Sequence, residues 1–180
     1  MPGRMQVVAH KDIITDISFS GYSCAANGSL SAHLNTSLLA ELKQAGVKTH
    51  PLVGCGMPTL RTLFASPEAF ISAAVQEATA HGFDGYNLDF EPYGAPQTNA
   101  DGADYAKFLD KFAVALHKEK KVLSVDFFSN LPIWVSKRAA PTAHSLIHTG
   151  GAARLIQFPF SDRTSLFGFT KRTRCERTDE

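Results

Sequence analysis

The order of segments along this 180-residue chain predicts an α/β fold built on parallel strands. Two observations lead there. Short runs rich in β-branched and aromatic residues alternate with stretches that carry apolar residues at helical spacing. The connections between them are short, as expected when each helix crosses over between parallel strands. Ile13 to Tyr22 reads as the first strand of this series and ends in a Gly/Ser/Asn cluster. Thr36 to Ala45 follows as a helix, with Leu38, Leu39 and Leu42 on one face and Gly46 as its stop. Val47 to Val53 is the next strand and enters a loop at Gly54-Cys55-Gly56. Ser66-Pro67-Glu68 reads as a helix start, with Ser66 at the cap, Pro67 at the first helical position and Glu68 near the positive dipole end. The apolar stripe of that helix is Phe70, Ile71, Ala74, Val75 and Ala78, and Gly82 ends it.

Gly85 to Glu91 is predicted as the third strand, Asp104 to Lys118 as a helix, and Val122 to Phe127 as the fourth strand. Tyr105, Phe108, Phe112 and Leu116 have core spacing on that helix. Met5 to Ala9 adds a candidate strand at the front. Past Asn130 the rhythm weakens: Pro132 to Ile147 reads as a short helix and Leu155 to Phe160 as a strand. Residues 161–180 are polar, basic and unpatterned, and are expected to form a disordered or poorly packed end after a domain spanning 1–160.

Composition narrows the function classes. Apolar residues make up 44% and charged residues 19%, an ordinary globular balance. A net charge of +1 lacks the basic footprint of a nucleic-acid protein. Lys171, Arg172, Arg174 and Arg177 read as a solvated tail. No stretch reaches the ~20 apolar residues of a membrane span, and MPGRMQVVAHKD shows no secretory h-region. Cys24, Cys55 and Cys175 have no metal-ligand spacing; one disulfide with a spare thiol and three reduced cysteines both fit. Cys55 reads as a small buried thiol rather than a nucleophile, and Gly54-Cys55-Gly56 as a strand-end turn rather than a phosphate loop. His144 and His148 lack the Glu of a zinc helix motif and read as a surface pair. The sequons at Asn27 and Asn35 leave the compartment open.

The chemistry-bearing stretch is Gly82-Phe83-Asp84-Gly85-Tyr86-Asn87-Leu88-Asp89-Phe90-Glu91-Pro92. Side chains alternate along a strand, so Asn87, Asp89 and Glu91 share one face and Tyr86, Leu88 and Phe90 the other. A parallel strand is normally apolar on both faces, so an acidic face needs a reason. Proton transfer supplies one, because neighbouring carboxyls in a low-dielectric site hold a proton near neutral pH. Asp126 on the fourth strand either lines the same site or makes a structural polar contact.

The run Asp84-x-x-Asn87-x-Asp89-x-Glu91 resembles the D-x-x-D-x-D-x-E signature of glycoside hydrolase family 18, the chitinases, chitobiases and related endo-N-acetylglucosaminidases. Gly54-x-Gly56 falls where that family has its S-x-G-G strand end, with Val53 in the Ser position, and the resemblance covers residues 12 to 130. It implies a TIM (β/α)8 barrel, present here in part with about five strands. It also implies hydrolysis, with retention, of β-1,4-linked N-acetylglucosamine in chitin, chito-oligosaccharides or N-glycan cores. Glu91 would be the acid/base, Asp89 would orient and stabilise the oxazolinium formed by the substrate's own acetamido oxygen, and Asp84 would support Asp89 from the base of the motif. Asn87, Gly54, Gly56 and Asp126 would face the sugar. The implied partner is an N-acetylglucosamine-containing oligosaccharide or polysaccharide, with no nucleic acid, no membrane insertion, no metal and no organic cofactor. The compartment is left open, and the resemblance implies a secreted or lysosomal one for a full-length relative.

Two departures stand out. Asn87 replaces the second Asp of the signature, which is expected to modulate Asp89 rather than abolish function. No Tyr follows Tyr105 and the one Trp is Trp134, so the aromatic residues the family draws from later strands are missing. A complete barrel needs ~250 residues, so this chain is expected to be the N-terminal part. The alternative to a working glycosidase is a non-catalytic carbohydrate-binding or truncated, inactive barrel protein.

Overall fold

A computed structural model of the chain describes residues 9–91, 93–126 and 168–169. Strand β1 (Asp16–Cys24) leads into a short antiparallel strand β2 (Leu30–Ala32), helix α1 (Thr36–Gln44) and strand β3 (Lys48–Gly56). Two helices follow, α2 (Thr59–Ala65) and α3 (Glu68–His81), then strand β4 (Gly85–Glu91), helix α4 (Asn99–Lys118) and strand β5 (Val122–Asp126). A two-residue strand, β6 (Gly168–Phe169), pairs antiparallel with β1 at Ile17 and Ser18. The sheet order is β2-β1-β3-β4-β5, and β1, β3, β4 and β5 run parallel. The predicted α/β class and its alternation are therefore the observed architecture.

One face of this sheet is apolar and covered by helices. Ile17, Phe19 and Tyr22 of β1, Val53 and Cys55 of β3, and Tyr86, Leu88 and Phe90 of β4 are buried there. Helix α4 lays Tyr105, Phe108, Phe112 and Leu116 against them, and α3 adds Phe70, Ala74 and Ala78. The rings meet edge-on or tilted: Phe70 and Phe112 at 5.7 Å, Phe90 and Phe108 at 5.8 Å, Tyr22 and Tyr86 at 5.7 Å between centroids. Aromatic pairs in such geometries add to the area they bury. Two polar tips are satisfied inside this layer. Tyr22 Oη donates to Glu77 Oε2 at 2.7 Å, and Tyr86 Oη donates to the Ala74 carbonyl at 2.8 Å.

Several local expectations change. Of the candidate strand Met5 to Ala9, only Ala9 is described, and it is helical. Ser66 is not an N-cap: it closes α2, and Pro67 takes the cap position of α3 without a side-chain bond. Helix α2 escaped the sequence reading because seven residues give too short a window for periodicity. Helix α4 starts at Asn99 rather than Asp104, because Thr98 and Asp101 form a capping box. Asp101 Oδ2 accepts from the Thr98 amide at 2.7 Å, while Thr98 Oγ accepts from the Asp101 amide at 3.4 Å. Arg61 of α2 then donates to both Asp101 oxygens, at 2.7 and 2.8 Å, so the guanidinium holds that carboxyl well below the ordinary aspartate range.

Cys55 is not a free thiol: it is disulfide-bonded to Cys24, with the Cα atoms 5.4 Å apart. The cause is a bulge in β1. Ser20 pairs with Leu52 but Tyr22 with Val53, so Gly21 is the extra residue and the later β1 side chains change face. Cys24 thereby reaches the helix-covered face beside Cys55, within disulfide range. Pro92, Trp134, His144, His148, Cys175, the candidate elements at Pro132 to Ile147 and Leu155 to Phe160, and the basic cluster from Lys171 to Arg177 lie outside the described residues.

Candidate active site

The face of the sheet away from the helices is polar, and β4 sets its chemistry. Phe90 and Leu88 must enter the aromatic layer, so pleat alternation turns Asn87, Asp89 and Glu91 the other way. Parallel pairing brings Gly54 beside Asp89 and Gly56 beside Glu91 on β3, and Ser124 beside Asn87 and Asp126 beside Asp89 on β5. With glycine at 54 and 56, no β3 side chain covers either acid. Gly54, Gly56, Asn87, Asp89, Glu91 and Asp126 are thus gathered at the carboxyl ends of three adjacent strands, the end where barrel enzymes build their sites.

Asn87 is buried, with 8% of its surface exposed, and both ends of its amide are hydrogen-bonded. Its Nδ2 donates to Asp126 Oδ2 at 2.8 Å, and its Oδ1 accepts from Ser124 Oγ at 2.8 Å. This gives Asn87 a physical reason for not being Asp. A carboxylate there would put an acceptor 2.8 Å from the Asp126 carboxylate, with no proton between them unless one acid stays neutral. The bond also shows where the amide is committed: to Ser124 and Asp126 on the next strand.

Electrostatics follow from this crowding. Burial raises the Asp89 carboxyl above the ordinary aspartate value. Burial also raises Glu91, and the nearby charge of Asp89 raises it further. Asp126 is raised by burial; the Asn87 bond works against that, and the charge of Asp89 adds to it. The hydroxyl of Tyr105, on α4, is pushed up by its own burial and by Asp126 and Asp89. Three carboxyls on one face therefore favour retaining protons, and Glu91 stands at the rim, where an incoming atom can reach it.

Asp84 is placed differently. Its carboxylate accepts from the Thr49 amide at 2.9 Å, its amide donates to the Thr49 carbonyl at 2.9 Å, and its carbonyl accepts from the Val122 amide at 2.9 Å. It joins β3, β4 and β5 at the start of β4, five residues before Asp89 and roughly 16 Å along the strand. Asp84 lies in the bend before β4, where its bonds to Thr49 and Val122 seat the strand.

The polar face continues away from the rim through Asp16, Ser18 and Ser20 of β1 and His50 of β3, with His50 Nε2 3.1 Å from Asp16 Oδ1. Sequence reading did not single out Ser124 or Tyr93. Ser124 carries no signal, because its role depends on which β4 residue the β5 register places beside it. Tyr93 lies just past the motif, on the loop that faces Gly56. Among the described residues, no group of three or more His, Cys, Asp or Glu is placed to hold a metal ion.

No protein-family profile matches the sequence, and no curated protein is significantly similar to it. Solved structures do match. A chitinase from Chromobacterium violaceum ATCC 12472 superposes with a TM-score of 0.58 at 16% identity, over 69% of this chain and 40% of that one. The α/β fold with its mostly parallel sheet matches part of these solved structures. The Bacillus megaterium QM B1551 spore cortex-lytic enzyme SleL gives a TM-score of 0.56 at 20% identity, over 69% of this chain and 30% of that one. A GH18 chitinase from Pseudoalteromonas aurantia gives 0.52 at 16% identity, over 68% of this chain and 52% of that one. The chain thus spans 30%, 40% and 52% of these three proteins. No helix among the described residues is long and apolar enough to cross a membrane.

Proposed function

We propose that this chain carries the acid-bearing part of a glycosidase site for β-linked N-acetylglucosamine, with Glu91 as acid/base. The observation that carries this reading is the placement of Glu91. It ends β4 beside Gly56, on the same face as Asp89, with its carboxyl raised by burial and by the charge of Asp89. A general acid must hold its proton close to the working pH, and that pairing is a way to arrange it.

In this reading Glu91 gives its proton to the glycosidic oxygen as the C–O bond breaks. The carbonyl oxygen of the substrate's own acetamido group attacks the anomeric carbon, and Asp89 orients that group and balances the positive charge of the cyclic intermediate. Glu91, now a carboxylate, takes a proton from the water that opens the ring, so the configuration is retained. Asn87, tied to Ser124 and Asp126, holds the polar floor beneath Asp89. Asp84 sets the register that brings these groups level.

The test is hydrolysis of a fluorogenic chitobioside by the purified chain, beside Glu91→Gln. A rate in the parent that falls by 10²-fold or more in the variant, the general range for loss of an acid/base group, supports the assignment; equal non-zero rates remove it. Sugar binding without turnover is the second reading that the same test separates. Oligosaccharide binding with no hydrolysis in either protein would select it.

A further inference from the structure

We propose that Tyr93 is an aromatic platform for a second sugar unit, next to the one at Glu91. This rests on the oligosaccharide reading above and adds to it a subsite on the β3 side of the acid.

Tyr93 is exposed and yet anchored. It is 61% exposed, the highest value among the large apolar or aromatic residues exposed in the described chain, yet the loop carrying it is fastened at several points. Its ring lies directly over Gly56: a Cβ built at position 56 would come 2.6 Å from Cε2 and 2.9 Å from Cδ2. Only glycine leaves the ring that seat. Gly94 has φ +93°, a region side chains rarely enter, and it packs so closely on the Met57 carbonyl that a Cβ would collide with it. Further along, Arg61 Nη2 donates to the Pro96 carbonyl at 2.7 Å and Arg61 also holds Asp101 at the helix cap. The loop after β4 is therefore held against the segment after β3 just past the ring, at Gly94 and Pro96.

Fixing an exposed ring in this way serves recognition better than packing. A buried aromatic needs no access, and a loose exposed one would lose entropy on binding; a pinned ring has already lost it. Gly56 is the ladder neighbour of Glu91, one strand spacing of about 4.8 Å away. The platform is thus beside the acid, within reach of an adjoining unit of the same oligosaccharide. A pyranose offers a face of C–H groups ringed by hydroxyls, and Tyr offers an apolar ring with a polar tip, so the two match in both respects.

The test uses the full chain carrying Glu91→Gln, which prevents turnover, and calorimetric titration with the N-acetylglucosamine tetramer. Tyr93→Phe keeps the ring and is expected to bind within about twofold of its parent. Tyr93→Ala is expected to bind about tenfold more weakly, the usual scale for truncating an anchoring aromatic. Gly56→Ala keeps the ring but displaces it, and is expected to weaken binding by a similar factor while the urea midpoint stays that of the parent. Unchanged affinity in Tyr93→Ala overturns the platform while leaving the oligosaccharide reading in place. Equal losses in Tyr93→Phe and Tyr93→Ala also overturn it, because the hydroxyl would then be the contact. Failure of the Glu91→Gln parent itself to bind the tetramer sinks the oligosaccharide reading, and the platform with it.

Discussion

Replacing Cys24 and Cys55 together by serine opens the covalent link between the ends of β1 and β3. The two cysteines are 31 residues apart, and the closed segment includes β2, α1 and β3 as far as Cys55, which pairs with Phe90. Closing a loop of that length removes about 3.7 kcal/mol of chain entropy at 25 °C from the unfolded state. With a urea slope of about 2 kcal/mol per molar, the double variant should unfold about 2 M earlier than the parent. The same shift should follow from adding reductant to the parent, and reductant should leave the variant unmoved. Alkylation in denaturant with mass detection gives a direct count: Cys24 and Cys55 should be blocked only after reduction. Modification of both without reductant would refute the pairing, and with it the account of how the β1 bulge turns Cys24 toward β3. A reductant-insensitive midpoint in a chain shown to hold the bond would refute the entropic argument instead. Because Gly56 follows Cys55, the double variant should also bind the N-acetylglucosamine tetramer more weakly.

The remaining predictions concern the carboxyl cluster. Asn87→Asp should destabilise the chain by about 2 kcal/mol at pH 7, since it replaces a donor to a charged acceptor with a like charge; combining it with Asp126→Asn should recover most of that loss in urea unfolding, and strictly additive effects would remove the coupling. Asp89 has a folded pKa above its unfolded value of 3.8, so the folded chain holds the proton more tightly. Its contribution to stability is full below that value and declines as pH rises through the folded one. Asp89→Asn should therefore gain stability over the parent between pH 4 and 7, and parallel curves would contradict this. Asp101 has the opposite shift, with Arg61 lowering its pKa, so its contribution is present above 3.8 and lost only in more acidic solution. Asp101→Asn should lose its cost below that range, which keeps the two windows apart.

How much of this was legible from the residues differs by element. Helices α1 and α3 and strands β3, β4 and β5 were predicted close to where they stand, because apolar period and glycine stops are local properties. Gly82, at φ 65° in the C-cap, is the clearest case. Boundaries moved where a polar first turn hid a helix start, as in the capping box of α4, or where an element was too short for periodicity, as in α2. The family-like spacing from Asp84 to Glu91 was visible as text, and strand alternation alone put Asn87, Asp89 and Glu91 on one face.

The sequence by itself determined the α/β class, the acidic face of β4 and the position of Glu91 at its end, because each depends on the two-residue and 3.6-residue periods of a single segment. The tertiary structure alone decided which side chains meet. Asn87 found Asp126 and Ser124 through the β4–β5 register, Cys24 found Cys55 through one extra residue in β1, and Tyr93 found Gly56 across two loops. Asp84 joins three strands through its bonds to Thr49 and Val122. Register, bulges and loop docking are relations between distant segments, fixed only when the helix-covered face is packed, and no local period encodes them.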